Sequence, residues 1–378
     1  MRVAIVHERF TEFGGSELVV AEFMKTWPDA KVFAPITEPG CRQQVMKAAG
    51  RIDSAGYESI SGTWLDSAYA LSGRRSHAPL LPLVPRALGK LPLGDDVDAV
   101  LISHHSFATQ AAFATEAPVI AYVHSPARWA WDRTFRDQEM ASRPGRIALS
   151  ALGKLARRGE LRAAPRLSHV IANSRAVADR IRDWWGLPST VISPPVRIDR
   201  FSPDPTIPRK DFYLCAGRLV PYKRADLAIR AAQRADCRLV VLGDGRFRDH
   251  LEAIAGPETT FLGAASDEVL LDMYRRCRAL LMPGIEDFGI VPVEAMACGT
   301  PVLALGEGGA LDTVEPGVTG EHMQAGPDEF VVEQLAALMR DFDPADYDTD
   351  TIRARASAFS PEAFRSRIAD TVLGATRT

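Results

Sequence analysis

The 378-residue sequence predicts an α/β protein built from two doubly wound domains. Short apolar runs recur along the chain and alternate with stretches of helical periodicity. Each run is closed by Gly, polar or charged residues, as when buried parallel strands feed helices. A Pro-dense span, Ser193-Pro194-Pro195 through Phe201-Ser202-Pro203-Asp204-Pro205, precedes a fresh strand and marks a domain boundary near residue 200. The length suits two domains of ordinary size, and a composition 46% apolar and 25% charged is enough to fill two cores.

Composition also excludes classes. A formal net charge of −3 gives no case for bulk nucleic-acid binding. The five cysteines, Cys41, Cys215, Cys237, Cys277 and Cys298, are odd in number and contain no C-x-x-C pair. Reduced, mostly buried thiols in the cytoplasm are expected, not a disulfide or zinc framework. No apolar run approaches the roughly 18 residues of a membrane span. The N-terminus opens on Val3-Ala4-Ile5-Val6, a buried strand in place of the apolar core of a signal peptide.

The first strand, Arg2 to His7, runs through Glu8–Phe13 to Gly14-Gly15, and a helix follows from about Ser16, which is placed as its N-cap, to Trp27. A strand, a Gly pair and a helix start form a phosphate-sized anion site at the edge of a parallel sheet, although a Gly-Gly turn is ordinarily only a turn. Further strands are read at Lys31–Ala34, Ala99–Ile102, Val119–Val123 and His169–Ala172. Polar groups stand at their ends: Ser103-His104-His105-Ser106, His124-Ser125-Pro126 and Asn173-Ser174-Arg175. Ligands of such sheets bind at strand ends. A lone His there is ordinarily a local hydrogen-bonding residue, and Asn173 is read as a helix cap.

Residues 60 to 95 read as a Pro-broken apolar loop region flanked by Arg74, Arg75, His77, Arg86 and Lys90. From Arg128 to Arg166 ten Arg or Lys face four Asp or Glu, interleaved with Trp129, Trp131, Leu149, Leu152 and Leu155. Two readings stay open: amphipathic helices with one solvated face, or a surface for anionic lipid headgroups or a lipid pyrophosphate. Asp96-Val97-Asp98 precedes a strand and reads as a solvated turn, not a metal site.

In the second half, strand Phe212–Ala216 ends at Gly217-Arg218-Leu219-Val220-Pro221-Tyr222-Lys223-Arg224, before a helix from about Ala225. Two cations beside helix N–H groups can neutralise a diphosphate. Strands at Leu239–Leu242, Thr260–Gly263 and Ala279–Pro283 follow, the first closed by Gly243-Asp244-Gly245. Glu286-Asp287-Phe288-Gly289-Ile290 then leads into a helix whose first turn accepts Pro292 and holds Glu294, and which Gly299 ends before strand Val302–Leu305. The N–H groups of Phe288, Gly289 and Ile290 are orphan donors at that helix start, suited to an anion or a row of hydroxyls. Gly308-Gly309-Ala310 makes another anion-suited turn. The last helix, about Pro361 to Leu373, places Phe364, Ile368 and Val372 on one face.

Residues 286–302, EDFGIVPVEAMACGTPV, resemble the E-x7-E segment of retaining glycosyltransferases of family 4, which have the GT-B fold. GRLVPYKR at 217–224 and YVHSPARWAWD at 122–132 resemble further segments of that family, and the likeness extends from Val3 to the last helix. The resemblance implies two Rossmann-like domains facing across a cleft, with a C-terminal helix crossing back to the first. Boundaries are placed at 1–198, 199–358 and 359–378. It implies that Arg218 and Lys223 hold the donor pyrophosphate, that Glu294 takes the ribose hydroxyls, and that Glu286 and His124 contact the sugar. Gly14, Gly15, Gly243, Gly263, Phe288, Gly289 and Ile290 would line the donor. Asp312 stands where the family has Glu. The variable parts of the first domain would bind the acceptor, so Arg74, Arg75, His77, His104 and Arg128 are placed on that side. No cofactor or metal is implied, since the phosphate-binding cations replace a divalent ion. The partners implied are a nucleotide-sugar, with GDP-mannose favoured over a UDP-sugar or deoxysugar donor, and a glycan or lipid-linked acceptor. The expected location is cytoplasmic, with room for peripheral contact at the inner face of the membrane. A GT-B nucleotide-sugar epimerase and a non-catalytic nucleotide-sugar binder are the alternatives from other classes.

Overall fold

The computed structural model describes residues 1–51, 60–133, 135–136 and 143–377. It divides into two compact units, Met1–Pro195 with Pro361–Thr378, and Val196–Ser360. Among the described residues the first unit carries a seven-stranded, all-parallel sheet. In spatial order the strands are β3 (Ile60–Ser61), β2 (Lys31–Phe33), β1 (Val3–His7), β4 (Ala99–His104), β5 (Val119–Val123), β6 (His169–Ala172) and β7 (Thr190–Val191). The order reverses at β1 and β4, so the loops after these two strands run to opposite faces and leave a crevice at their ends.

The two-residue alternation of a strand splits its side chains between two cores. Val6, Val100, Ile102 and Ala121 enter one, while Ile5, Leu101, Ile120 and Tyr122 enter the other. The last helix, Pro361–Ala375, closes the second core with buried Phe364, Ile368 and Val372. Phe364 stacks on Phe23 at 5.8 Å, and Arg365 pairs with Glu22.

The second unit holds a six-stranded parallel sheet ordered β10 (Thr259–Gly263), β9 (Leu239–Leu242), β8 (Tyr213–Ala216), β11 (Leu280–Met282), β12 (Val302–Leu305) and β13 (Gly320–Met323). Its order reverses at β8 and β11. The short strands β3, β7 and β13 are absent from the sequence reading. Two are only two residues long and the third contains Gly320 and His322, so none shows an apolar run.

Several local expectations are corrected. Gly14, not Ser16, is the N-cap of helix Gly15–Thr26; Glu17 reaches back to the Gly14 N–H at 3.0 Å and also accepts from the Ser16 hydroxyl. Ser174, not Asn173, caps helix Arg175–Trp185, its hydroxyl accepting from the Val177 N–H at 3.1 Å. The prolines of 60–95 do not break helices there. Pro85 sits in the first turn of helix Val84–Leu88 and Pro79 in that of the 3₁₀ segment Ala78–Leu83, where no N–H partner is required. Asp96 and Asp98 do lie in an exposed turn before β4, as expected, where they also bind the side chain and backbone N–H of Arg2 at 2.7 and 2.6 Å. Of the basic stretch 128–166, residues 134 and 137–142 lie outside the described residues. No helix among the described residues is long and apolar enough to cross a membrane.

Candidate functional site

In the second unit, four strand-end loops pack backbone to backbone, and glycines permit it. A Cβ on Gly243, whose φ is +140°, would sit 1.9 Å from the Gly217 carbonyl oxygen, which fuses the loops after β9 and β8. One on Gly284 would sit 2.6 Å from the carbonyl oxygens of Tyr222 and Lys223, which joins the loop after β11 to that after β8. One on Gly309 would lie 2.1 Å from the Phe288 carbonyl oxygen, and the Gly309 N–H donates to Glu286 O at 2.9 Å. The turn after β12 therefore supports the chain that carries Glu286.

These contacts bring Lys223 and Glu286, 63 residues apart, into an ion pair at the point where the strand order reverses. Burial opposes the Lys223 ammonium and Arg218 repels it, yet Glu286 outweighs both, and the Lys223 pKa is raised. Arg218, on the same loop, is exposed. Helix Ile290–Ala297 starts from Gly289, whose φ of +88° makes it a left-handed cap. Glu294 does not lie in its first turn, as expected, but in the second, because the helix begins at Ile290. The Glu294 side chain is buried, and Tyr274 Oη donates to its Oε2 at 3.2 Å. Burial lifts its pKa from 4.5 to about 7, against the Tyr274 hydrogen bond and the charges of Arg197 and Arg200, which lower it. Phe288 is buried edge-on to Phe359, so only its backbone is available to a ligand. Gly263 O accepts from the Gly243 N–H at 2.8 Å. A cavity of about 290 Å³ opens between these strand ends, lined by Gly217, Arg218, Gly243, Ala265, Tyr274 and Val291. Asp312 lies in the short helix Ala310–Thr313 after the Gly pair.

The first unit gathers its polar groups at its own reversal point. His7 ends β1, and its register partner on β4 is Ser103. Ser103 Oγ lies 3.0 Å from His7 Nδ1 and 2.8 Å from His124 Nε2, just past β5. His7 Nε2 meets Glu17 Oε1 at 3.1 Å. Gly14 and Gly15 begin the helix that supplies Glu17. The His105 ring lies 5.3 Å from that of His124 and 5.8 Å from that of His7. Burial, followed by the neighbouring His105 and His7, holds the His124 pKa well below its ordinary value, so the ring is neutral.

Of the residues expected on the acceptor side, Arg74 and His77 both pack against Tyr69, while His104 lies in the core. His104 is fully buried, its Nε2 3.0 Å from Glu160, a carboxylate that also accepts from the Ala127 N–H at 2.7 Å and the Trp185 indole at 3.3 Å. It is a core residue, and strand alternation explains the correction: Ser103 and His104 point to opposite faces. Arg74 is spent on structure as well. It donates to Thr37 O at 2.5 Å, and Glu38 and Asp66 lie 3.7 Å away. Arg75 is exposed and His77 packs edge-on against Tyr69. Arg128 binds Asp132 at 3.4 Å and lies over the Phe135 ring. His7, Glu17, Ser103 and Tyr274 were not singled out as site residues from sequence. Ser103 and His7 carried a usable signal, since both end apolar strands.

Two all-parallel sheets, each with polar groups at its reversal point, make this a protein of two Rossmann-like α/β units. Residues 13–200 match the family described as Glycosyltransferase Family 4, and residues 198–351 that described as Glycosyl transferases group 1. Together these two glycosyltransferase models span residues 13–351, and the two all-parallel Rossmann-like units match the fold of GT-B glycosyltransferase structures. It is 36% identical over 151 residues to the D-inositol 3-phosphate glycosyltransferase of Mycobacterium sp. strain KMS, covering 34% of each chain. To the GDP-mannose-dependent monoacylated α-(1-6)-phosphatidylinositol monomannoside mannosyltransferase of Corynebacterium glutamicum it is 33% identical over 143 residues, 34% of this chain and 37% of that one. Its match thus spans about a third of the length of these relatives. The fold matches Anabaena Alr3699/HepE in complex with UDP and glucose, with a TM-score of 0.71, 20% identity, and 99% and 100% of the two chains covered. It also matches sucrose-phosphate synthase from Thermosynechococcus elongatus, with a TM-score of 0.73, 17% identity, and 99% of each chain covered.

Proposed function

We propose that the protein is a retaining hexosyltransferase that moves a sugar, mannose from GDP-mannose in the favoured reading, to a glycan or lipid-linked acceptor and forms an α-glycosidic bond. The observation that carries this reading is the Lys223–Glu286 pair at the reversal point of the second sheet, with Arg218 on the same loop. An anionic diphosphate competes with Glu286 for Lys223, which leaves the carboxylate to hold sugar hydroxyls and to steady the cationic anomeric centre. Arg218 and Lys223 then take up the charge that grows on the departing diphosphate. Such a donor is worth on the order of 10²–10³ in rate. Glu294 accepts from the ribose hydroxyls, and neutral His124 orients the sugar. Attack on the face from which the diphosphate leaves gives retention without a second acid as nucleophile.

GDP-mannose is supported by the wording of residues 286–302 and by the Corynebacterium relative. A UDP-sugar donor is the second reading, since the Anabaena protein was also crystallised with UDP-glucose. Titration calorimetry of the full chain with GDP-mannose, UDP-glucose and UDP-N-acetylglucosamine tests both. The tightest binding is expected for GDP-mannose; tighter binding of a UDP-sugar transfers the assignment, and failure to bind any nucleotide sinks it. Incubation with the bound nucleotide-sugar and no acceptor separates a transferase from an epimerase, which would convert the sugar. On the acceptor side, helix Arg143–Ala163 exposes Ile147 and Leu161 alongside Arg157, Arg158 and Arg162, the composition of a surface that meets anionic lipid. Co-sedimentation with anionic vesicles is the expected outcome there, and none at low salt removes the membrane part of the reading.

A further inference from the structure

We infer that Glu17, His7 and Ser103 form a positioning relay that fixes the tautomer of His124, so that His124 presents Nδ1 to its ligand as a hydrogen-bond acceptor. The chain of contacts is continuous: Glu17 Oε1 to His7 Nε2 at 3.1 Å, His7 Nδ1 to Ser103 Oγ at 3.0 Å, and Ser103 Oγ to His124 Nε2 at 2.8 Å. Its direction is set at the Glu17 end. The Gly14 N–H and the Ser16 hydroxyl both point at this carboxyl, at its Oε2, an environment that favours the carboxylate, and a carboxylate can only accept.

His7 Nε2 must therefore donate. In a neutral His7 ring, Nδ1 then accepts, and the single hydroxyl proton of Ser103 goes to it. Ser103 Oγ is left to accept from His124 Nε2–H, and the proton of neutral His124 is thereby fixed on Nε2. Nδ1 keeps its lone pair. The relay joins three neighbouring strands and the helix after β1, so its geometry is held by the sheet register.

A near-isosteric change should reverse it. In Glu17→Gln the two donors at Oε2 hold the amide oxygen in that place, which puts the amide NH₂ against His7 Nε2. His7 then accepts at Nε2 and donates from Nδ1. The Ser103 proton passes to His124 Nε2, and the His124 proton moves to Nδ1. The experiment is a long-range ¹H–¹⁵N correlation spectrum of the ¹⁵N-histidine-labelled full chain without ligand, with His124 assigned by its loss in His124→Gln. A protonated Nε2 and a bare Nδ1 are expected in the wild type, and the opposite in Glu17→Gln. A wild-type ring protonated at Nδ1, or a folded Glu17→Gln chain with the wild-type pattern, overturns the relay.

If Glu17→Gln does not fold, Ser103→Ala decides. The Nε2 proton resonance of His124 should shift upfield as its acceptor is lost, and an unmoved resonance overturns the proposal. The role of His124 toward sugar rests on the proposed function, but its tautomer is read on the unliganded chain, so the two can fail separately. With nucleotide-sugar and acceptor, Glu17→Gln should lower kcat/KM about tenfold, the worth of one neutral hydrogen bond, with the melting temperature preserved. A purely structural Glu17 would lower melting temperature and activity together and leave the tautomer alone.

Discussion

Replacing Glu294 by Gln should stabilise the second unit at neutral and alkaline pH. The Glu294 carboxyl is buried against Tyr274, and its pKa rises from 4.5 to about 7. The folded chain therefore holds a proton between these values that the unfolded chain has released. Stability from this group is full below pH 4.5, falls as pH rises through 7, and is level above that. At about 1.4 kcal/mol per pH unit of pKa change, the penalty at pH 8 is about 3 kcal/mol. Gln cannot ionise, yet its carbonyl still accepts from the Tyr274 hydroxyl. The variant should match the wild type near pH 4.5 and exceed it by up to about 3 kcal/mol at pH 8. For a unit the size of Val196–Ser360 this is an upward shift of about 6–12 °C in melting temperature. Scanning calorimetry of both chains from pH 4.5 to 8.5 measures it. A difference that stays constant across that range, or a variant less stable at pH 8, refutes the assignment of burial as the cause. In the same variant nucleotide affinity should drop, since a charge-assisted bond to ribose worth about 1.5–3 kcal/mol becomes a neutral one. Stability gained and affinity lost in one substitution mark a group held for binding and not for folding.

Lys223→Met should cut kcat by about 10²–10³ with the fold intact, read in a donor-consumption assay; a change below threefold would remove Lys223 from the chemistry. Glu286→Ala should abolish transfer while calorimetric nucleotide binding largely survives, and equal loss of both would contradict the separation of sugar and nucleotide contacts. Gly309→Ala places a methyl 2.1 Å from the Phe288 carbonyl oxygen. A cost of about 1–3 kcal/mol and loss of nucleotide binding are expected, measured by denaturant melts and calorimetry; an unchanged variant would mean that the Glu286 loop does not depend on that turn. Because Arg218 and Lys223 are assigned the diphosphate charge, transfer should persist in excess EDTA, and its loss, restored by Mg²⁺, would return that role to a metal.

Much of the fold was legible because its signals are local. Apolar runs such as Val119–Val123 are short, rich in β-branched residues and bounded by turn residues, which marks them as buried strands, and Gly and Pro at 217, 289, 299 and 301 punctuate the chain whatever its surroundings. Lys223 and Glu286 were singled out by the resemblance of their segments to a known family, and the structure pairs them with each other. What failed were assignments that needed a face or a partner. Ser103 and His104 are chain neighbours of similar polarity, yet one faces His7 and the other Glu160. Arg74 looked like a ligand-facing cation until Thr37, Glu38 and Asp66 were found around it.

By itself the sequence determined where the longer apolar strands and most of the helices between them lie, that both domains are doubly wound, and which loops carry charge, since periodicity, capping and turn chemistry act over a few residues. Only the tertiary structure decided which loops are neighbours. The order β9–β8–β11–β12 sets Gly243 on Gly217, Gly284 on Lys223 and Gly309 on Phe288, and so brings Lys223 to Glu286 across 63 residues. Likewise only the register of β1, β4 and β5 joins His7, Ser103 and His124. Strand order and register follow from burying both faces of a sheet at once, a free energy spread over the whole core, and no short window of sequence contains it.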